Sequence, residues 1–181
     1  SHHLVTVPPP GWVAAAHRHG VKVVGTLITE WARGRARCQR LFATRASAQQ
    51  AAERLAAIAS HHGLDGWLVN IENGVDARLV PNVHHFLAHL RAAMRALRGR
   101  QGQVVWYDAV TVAGRLEWQN SLTRANARFL DACDGLFVNY AWRAGTPAEV
   151  AAAAGARACD VYLGVDVFGR GTYGGGPHTC D

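Results

Sequence analysis

The chain has 181 residues, 49% hydrophobic and 18% charged, an ordinary globular composition at the length of one domain. No apolar run approaches the roughly 18 residues that a membrane-spanning helix needs, and the opening SHHLVTVPPP lacks the basic head and long apolar stretch of a secretory leader. The formal net charge of +6 comes from dispersed arginines, with Lys22 the only lysine, and no stacking platform accompanies Arg33, Arg35 and Arg37, so nucleic acid is not an expected partner.

In chain order, the first buried-strand pattern is 21–28 (VKVVGTLI), followed by a helix over 47–61, where Ser47 with Gln50 three residues on reads as an N-cap and Gly63 as a stop. A second strand, 66–71 (GWLVNI), leads to an amphipathic helix over 83–97 that Gly99 ends. The third strand is 103–107 (QVVWY), with a helix expected over 120–133. A fourth, 135–140 (GLFVNY), precedes a helix over 147–157, and a fifth spans 161–167 (VYLGVDV) before a glycine-rich tail, 171–181. Near-continuous β-branched runs suit parallel strands covered by other elements, and the strand–helix alternation means α/β. The four cysteines, Cys38, Cys133, Cys159 and Cys180, form no CxxC pair and no regular spacing. They read as free thiols of a reducing compartment, with no metal or cofactor implied.

Two α/β architectures fit the alternation, a doubly wound sheet and a (β/α)₈ TIM barrel. No glycine-rich phosphate loop follows the first strand, which weakens the nucleotide-binding version. The strands end instead in polar and aromatic groups: Thr29-Glu30-Trp31, Asn70 with Glu72, Tyr107-Asp108, Asn139-Tyr140 with Trp142, and Asp166. In a barrel those ends form the rim where active sites are built. A whole barrel takes about 250 residues, so 1–181 is read as a partial catalytic domain lacking the first strands and the last.

The stretch 65–72 (DGWLVNIE) carries the chemistry. Alternation along a strand puts Asn70 and Glu72 on one face and Ile71 on the other. Most glycosidases use two carboxylates; here an amide stands beside the one carboxyl. An amide cannot act as a base or nucleophile at neutral pH, but it can orient another amide. With a substrate bearing a 2-acetamido group, the acetamide oxygen can attack the anomeric carbon while Glu72, kept protonated by partial desolvation, protonates the leaving oxygen.

This stretch is similar to the DGxDxDxE strand of family 18 chitinases, with Leu68 and Asn70 in place of the last two aspartates. It resembles glycoside hydrolase family 85, cytosolic endo-β-N-acetylglucosaminidases, far more closely. The phrases that carry the resemblance run in family order: VTVPP at 5–9, GWVAAAHRHGVKVVGTLITEW at 11–31, LDGWLVNIEN at 64–73, WYDAV at 106–110, LEWQ at 116–119, CDGLFVNYAW at 133–142 and DVYLGVDVFGRG at 160–171. The resemblance implies hydrolysis of the N,N′-diacetylchitobiose core of N-glycans, on glycoproteins or free oligosaccharides, with retention through an oxazoline. It implies Glu72 as acid and base, Asn70 as the residue that orients the acetamide, and Tyr107 as the phenol that hydrogen-bonds it. Trp118 and Trp142 resemble sugar-stacking tryptophans, while Trp12, Trp67 and Trp106 are left to structural roles. Glu30, Trp31, Asn139 and Asp166 are expected either to touch the sugars or to support the residues that do. Departures fall at Val13 and Ala109, where the family has Ser or Thr, and at Ala141, where it has a bulkier or polar residue. Other readings are a glycan-binding fragment without turnover and a chitinase-like hydrolase.

Overall fold

The structure, a computed structural model, describes residues 3–169, 171–176 and 179. One six-stranded sheet runs in the order of the chain: β1 (Val5–Thr6), β2 (Val24–Glu30), β3 (Gly66–Glu72), β4 (Gln103–Tyr107), β5 (Gly135–Val138) and β6 (Val161–Leu163). Strands β2 to β6 are parallel neighbours, whereas the short edge strand β1, not anticipated from the sequence, pairs antiparallel with β2. The order never reverses, so these strands lack the switch point of a doubly wound nucleotide-binding sheet.

Between the strands lie α1 (Pro10–Arg18), α2 (Trp31–Leu41), α3 (Arg45–His62), α4 (Val80–Arg98), α5 (Ala127–Ala132) and α6 (Thr146–Ala154). Two helices escaped the sequence reading. Helix α1 starts at Pro10, whose fixed φ suits a first helical turn. Its end explains why 21–23 is not strand: the Val21 N–H closes back on Ala16 O at 2.9 Å. Helix α2 follows β2 with no linker, and its arginine-rich sequence offers little apolar periodicity to read. Only Gly34 lets it approach, since a Cβ there would collide with the Asn73 side chain and the Thr29 backbone.

Helix α3 starts earlier than its expected cap. Thr44 is the N-cap, accepting from Ser47 N at 3.0 Å while Ser47 Oγ takes the Thr44 N–H at 3.1 Å, so Ser47 is the third helical residue. The expected helix over 120–133 shrinks to α5, because 119–126 is a loop wrapped around Asp108. The strand expected over 161–167 stops at Leu163, and Asp166 begins a turn that Gly169 N closes on its carbonyl.

Alternation sorts the sheet into two faces. On the helix-covered face, Trp67, Val69, Ile71, Trp106 and Leu136 are fully buried. Trp67 donates its indole N–H to Leu55 O of α3 at 3.1 Å, and Phe42 meets Phe86 edge-on at 5.3 Å between α2 and α4. Trp106 stacks on Phe129 at 4.3 Å, and Phe129 stacks on His84 at 4.5 Å, tying β4 to α4 and α5. Burial pushes the His84 imidazole down from its ordinary value. Trp67 and Trp106 have the structural roles expected of them; Trp12, 72% exposed on α1, is no core residue. Among the described residues no helix is long and apolar enough to cross a membrane. Cys38 and Cys133 are buried free thiols and Cys159 is an exposed one; Cys180 lies outside the described residues.

Candidate active site

The other face carries the polar groups. Parallel registry sets Ile28 beside Asn70 and Glu30 beside Glu72, and it sets Phe137 beside both Tyr107 and Tyr162. Registered partners in a parallel pair share a face, so Glu30, Asn70, Glu72, Tyr107 and Phe137 line one surface, polar toward the strands' C-terminal ends. The expected split at β3 is observed: Ile71 is fully buried beneath the helices, while Asn70 and Glu72 stay half-buried on the open side.

Asn70 and Glu72 touch. The Asn70 amide nitrogen donates to Glu72 Oε1 at 3.3 Å, the only direction open to a carboxylate acceptor. Its own Oδ1 is buried and has no hydrogen-bond partner among the described residues. An unmet buried acceptor costs about 1–3 kcal/mol.

Tyr107 closes β4 with its ring 6.0 Å from that of Phe137. Its phenol is pushed up to about 12, first by burial and then by the negative charge of Glu72, while the nearby Trp118 indole pulls the other way. Glu72 and Trp118 therefore both lie near the Tyr107 phenol. The phenol donates to Asn139 Oδ1 at 2.8 Å, and Asn139 Nδ2 donates to Asn120 Oδ1 at 2.8 Å.

Two residues behind this group were given no role at the site by the sequence, although Asp108 was among the polar groups noted where the strands end. Asp108 comes directly after the end of β4 and is buried, 1% exposed. It accepts from Asn126 Nδ2 at 2.8 Å, from Gln119 N at 3.1 Å and from Asn120 N at 2.8 Å. Burial nonetheless pushes its carboxyl up to about 6 against these donors. Asn120 was hidden in an expected helix; its φ of 53° is a left-handed conformation that Asn tolerates better than most side chains. Its place between LEWQ and a run of Ser and Thr is a turn signal that the helix reading overrode.

The remaining expected residues spread along the rim. Trp31 is 79% exposed at φ 56° where β2 turns into α2, and Trp118 is 39% exposed beside Tyr107. Trp142 donates to Gly164 O at 2.6 Å and lies against Tyr173 at 4.7 Å. Asp166 accepts from Phe168 N within its own turn at 3.1 Å. Among the described residues, no hydrogen bond connects Trp142 or Asp166 to Glu72. An apolar hollow of about 320 Å³ between β1 and helices α2 and α3 contains none of these groups.

The parallel strands β2, β3 and β4 thus bring two carboxyls, a carboxamide and a phenol to their adjoining C-terminal ends, with tryptophans along the rim. The chain belongs to glycosyl hydrolase family 85, whose sequence profile matches residues 1–181. It is 53% identical over its whole length to the cytosolic endo-beta-N-acetylglucosaminidase 2 of Arabidopsis thaliana and 46% identical to the human cytosolic endo-beta-N-acetylglucosaminidase. It spans about a quarter of each, 26% and 24% respectively. Among solved structures, it superimposes on the apo endo-beta-N-acetylglucosaminidase of Cordyceps militaris with a TM-score of 0.62 at 14% identity, over 93% of this chain and 55% of that one. That likeness concerns the fold.

Proposed function

We propose that residues 1–181 are the part of a cytosolic endo-β-N-acetylglucosaminidase that carries its catalytic groups, within a (β/α)₈ barrel that continues past β1 and β6. The sequential parallel strands with helices on one face and polar groups on the other support the barrel. Names of relatives about half identical to the chain support the activity and the compartment. The single observation that carries the reading is the contact of Asn70 with Glu72 beside an unmet amide oxygen.

In the proposed reaction, the acetamide of the N-acetylglucosamine before the scissile bond lies against Asn70. Its N–H meets the free Asn70 Oδ1, which turns its carbonyl oxygen toward the anomeric carbon. Glu72 gives its proton to the leaving oxygen as that bond breaks and the acetamide oxygen closes an oxazolinium ring. Water then attacks the same carbon from the side the leaving group vacated, giving its proton back to Glu72, so that configuration is retained. Trp118, Trp142 and Trp31 offer apolar ring faces to the sugars. Glu30 and Asp166 stand on the rim, where mannose or N-acetylglucosamine hydroxyls would lie.

The test is release of glycan from a labelled high-mannose glycopeptide by the full-length protein, leaving one N-acetylglucosamine on the peptide. Cleavage of chitin oligomers alone would instead support a chitinase-like enzyme, and binding without cleavage a glycan-binding protein.

A further inference from the structure

We infer that Asn120, anchored by Asp108, is a positioning residue that acts through Asn139 to turn the Tyr107 hydroxyl proton away from the cleft, leaving a phenol lone pair toward the reacting acetamide. The inference rests on the proposed function and adds to it the direction of one proton.

That direction follows from a single backbone group. The Ala141 N–H can only donate, and it meets the Asn120 side chain at 3.2 Å, so the atom there is oxygen. The same oxygen lies 2.8 Å from the Asn139 amide, which must present its nitrogen. The Asn139 carboxamide oxygen is thereby turned to Tyr107 at 2.8 Å, and the phenol must donate to it. With its proton given to Asn139, the Tyr107 oxygen keeps its lone pairs for the cleft.

Asp108 makes the anchor possible. Asn120 reaches Asn139 only from a left-handed backbone, φ 53°, and the N–H groups of Gln119 and Asn120 are fastened to Asp108 Oδ2. Asn126 holds the other carboxylate oxygen at 2.8 Å and also ties to Ser121 O at 2.8 Å, closing the loop.

An accepting phenol suits ring closure. A hydrogen bond donated to the acetamide carbonyl would draw electron density from the attacking oxygen. A lone pair leaves that oxygen free and faces the positive charge that builds on the acetamide as it cyclises. If Asn139 swings away, the phenol proton turns into the cleft and the advantage is lost.

The experiment uses the full-length protein and two probes, N,N′-diacetylchitobiose and a sugar thiazoline that mimics the closed ring. Asn120→Gly keeps the left-handed backbone and deletes the side chain with its oxygen and its amide nitrogen; Asn120→Asp restores the oxygen alone. The glycine variant should lose about tenfold in kcat and in thiazoline affinity, the scale of one hydrogen bond. Its chitobiose affinity should hold within about twofold, because the open acetamide carries no ring charge. The aspartate variant should recover most of the loss. Should the glycine variant not fold, Asn139→Leu, near in size and without an acceptor, carries the same expectation. Wild-type kcat and thiazoline affinity in the variant, equal loss toward both probes, or no recovery with aspartate would each overturn the inference. A wild-type protein that binds neither probe would overturn the glycosidase reading, and this inference with it.

Discussion

Asn70 donates to Glu72 across 3.3 Å while the buried oxygen of the same amide has no partner among the described residues. One side chain thus addresses the acid with its nitrogen and keeps its oxygen for something else. A second carboxylate at position 70 would repel Glu72; the amide steadies it and adds no charge.

The first prediction concerns Glu72. In the full-length protein, Glu72→Gln should cut glycan hydrolysis by about 10²–10⁴-fold, the usual worth of general acid catalysis. The amide is nearly isosteric but has no proton to give, so binding of the uncleaved glycopeptide should be preserved. Titration calorimetry and product release measured on one preparation separate the two effects. Turnover near wild type would remove Glu72 from the role of acid.

The second uses the phenol of Tyr107, pushed up to about 12 by burial and by Glu72. The ultraviolet difference between wild type and Tyr107→Phe should show one tyrosine that stays neutral well past the ordinary value of about 10. A rapid pH jump outruns alkaline unfolding. In Glu72→Gln the same ionisation should move down, because a negative charge that opposed a second one has gone. An unmoved midpoint would mean that the two groups do not face each other.

Much of this site was legible because strands write their geometry plainly. A period of two assigns Asn70 and Glu72 to one side of β3 and Ile71 to the other with no tertiary information. Tyr107 was legible for the same reason, closing a short apolar run. The loop around Asp108 was not. It is held by a carboxylate accepting backbone N–H groups eleven and twelve residues on, and such bonds leave no periodic trace. Gln119 to Cys133 is polar, then apolar, and passes for an amphipathic helix until Asp108 claims its first half. Helix α2 was missed for a related reason: it is rich in arginine, and its contact with the sheet ends depends on one glycine.

The third prediction concerns Asp108, pushed up to about 6 by burial despite the N–H groups that face it from Asn126, Gln119, Asn120 and Asn139. A carboxyl held above its unfolded value binds its proton more tightly when folded. Its contribution to stability is therefore complete below about pH 4 and is lost as pH rises through 6, a loss on the order of 2–3 kcal/mol. Asp108→Asn cannot titrate. Plotted against pH, the stability of wild type relative to this variant should fall between pH 4 and 7. A flat difference in denaturant midpoints would show that Asp108 ionises as freely as in the unfolded chain.

The last prediction separates the two halves of the reaction through Asn70. If its free oxygen takes the acetamide N–H, it matters most while the ring closes. Opening of a preformed ring by an acceptor needs Glu72 as base and makes less demand on Asn70. Asn70→Ala should therefore hydrolyse glycopeptides very poorly, yet still transfer sugar from a synthetic sugar oxazoline to an N-acetylglucosamine acceptor. Among the described residues the oxygen has no partner to abandon, and the change deprives one acceptor, Glu72 Oε1, of a weak 3.3 Å donor. Thermal stability should change little, against the about 1–3 kcal/mol expected when a buried hydrogen-bonded group loses its partner. Equal loss of hydrolysis and transfer, together with a lowered melting temperature, would give Asn70 a structural role. Unchanged hydrolysis would show that Asn70 does not touch the reacting group, and another side chain would have to hold the acetamide.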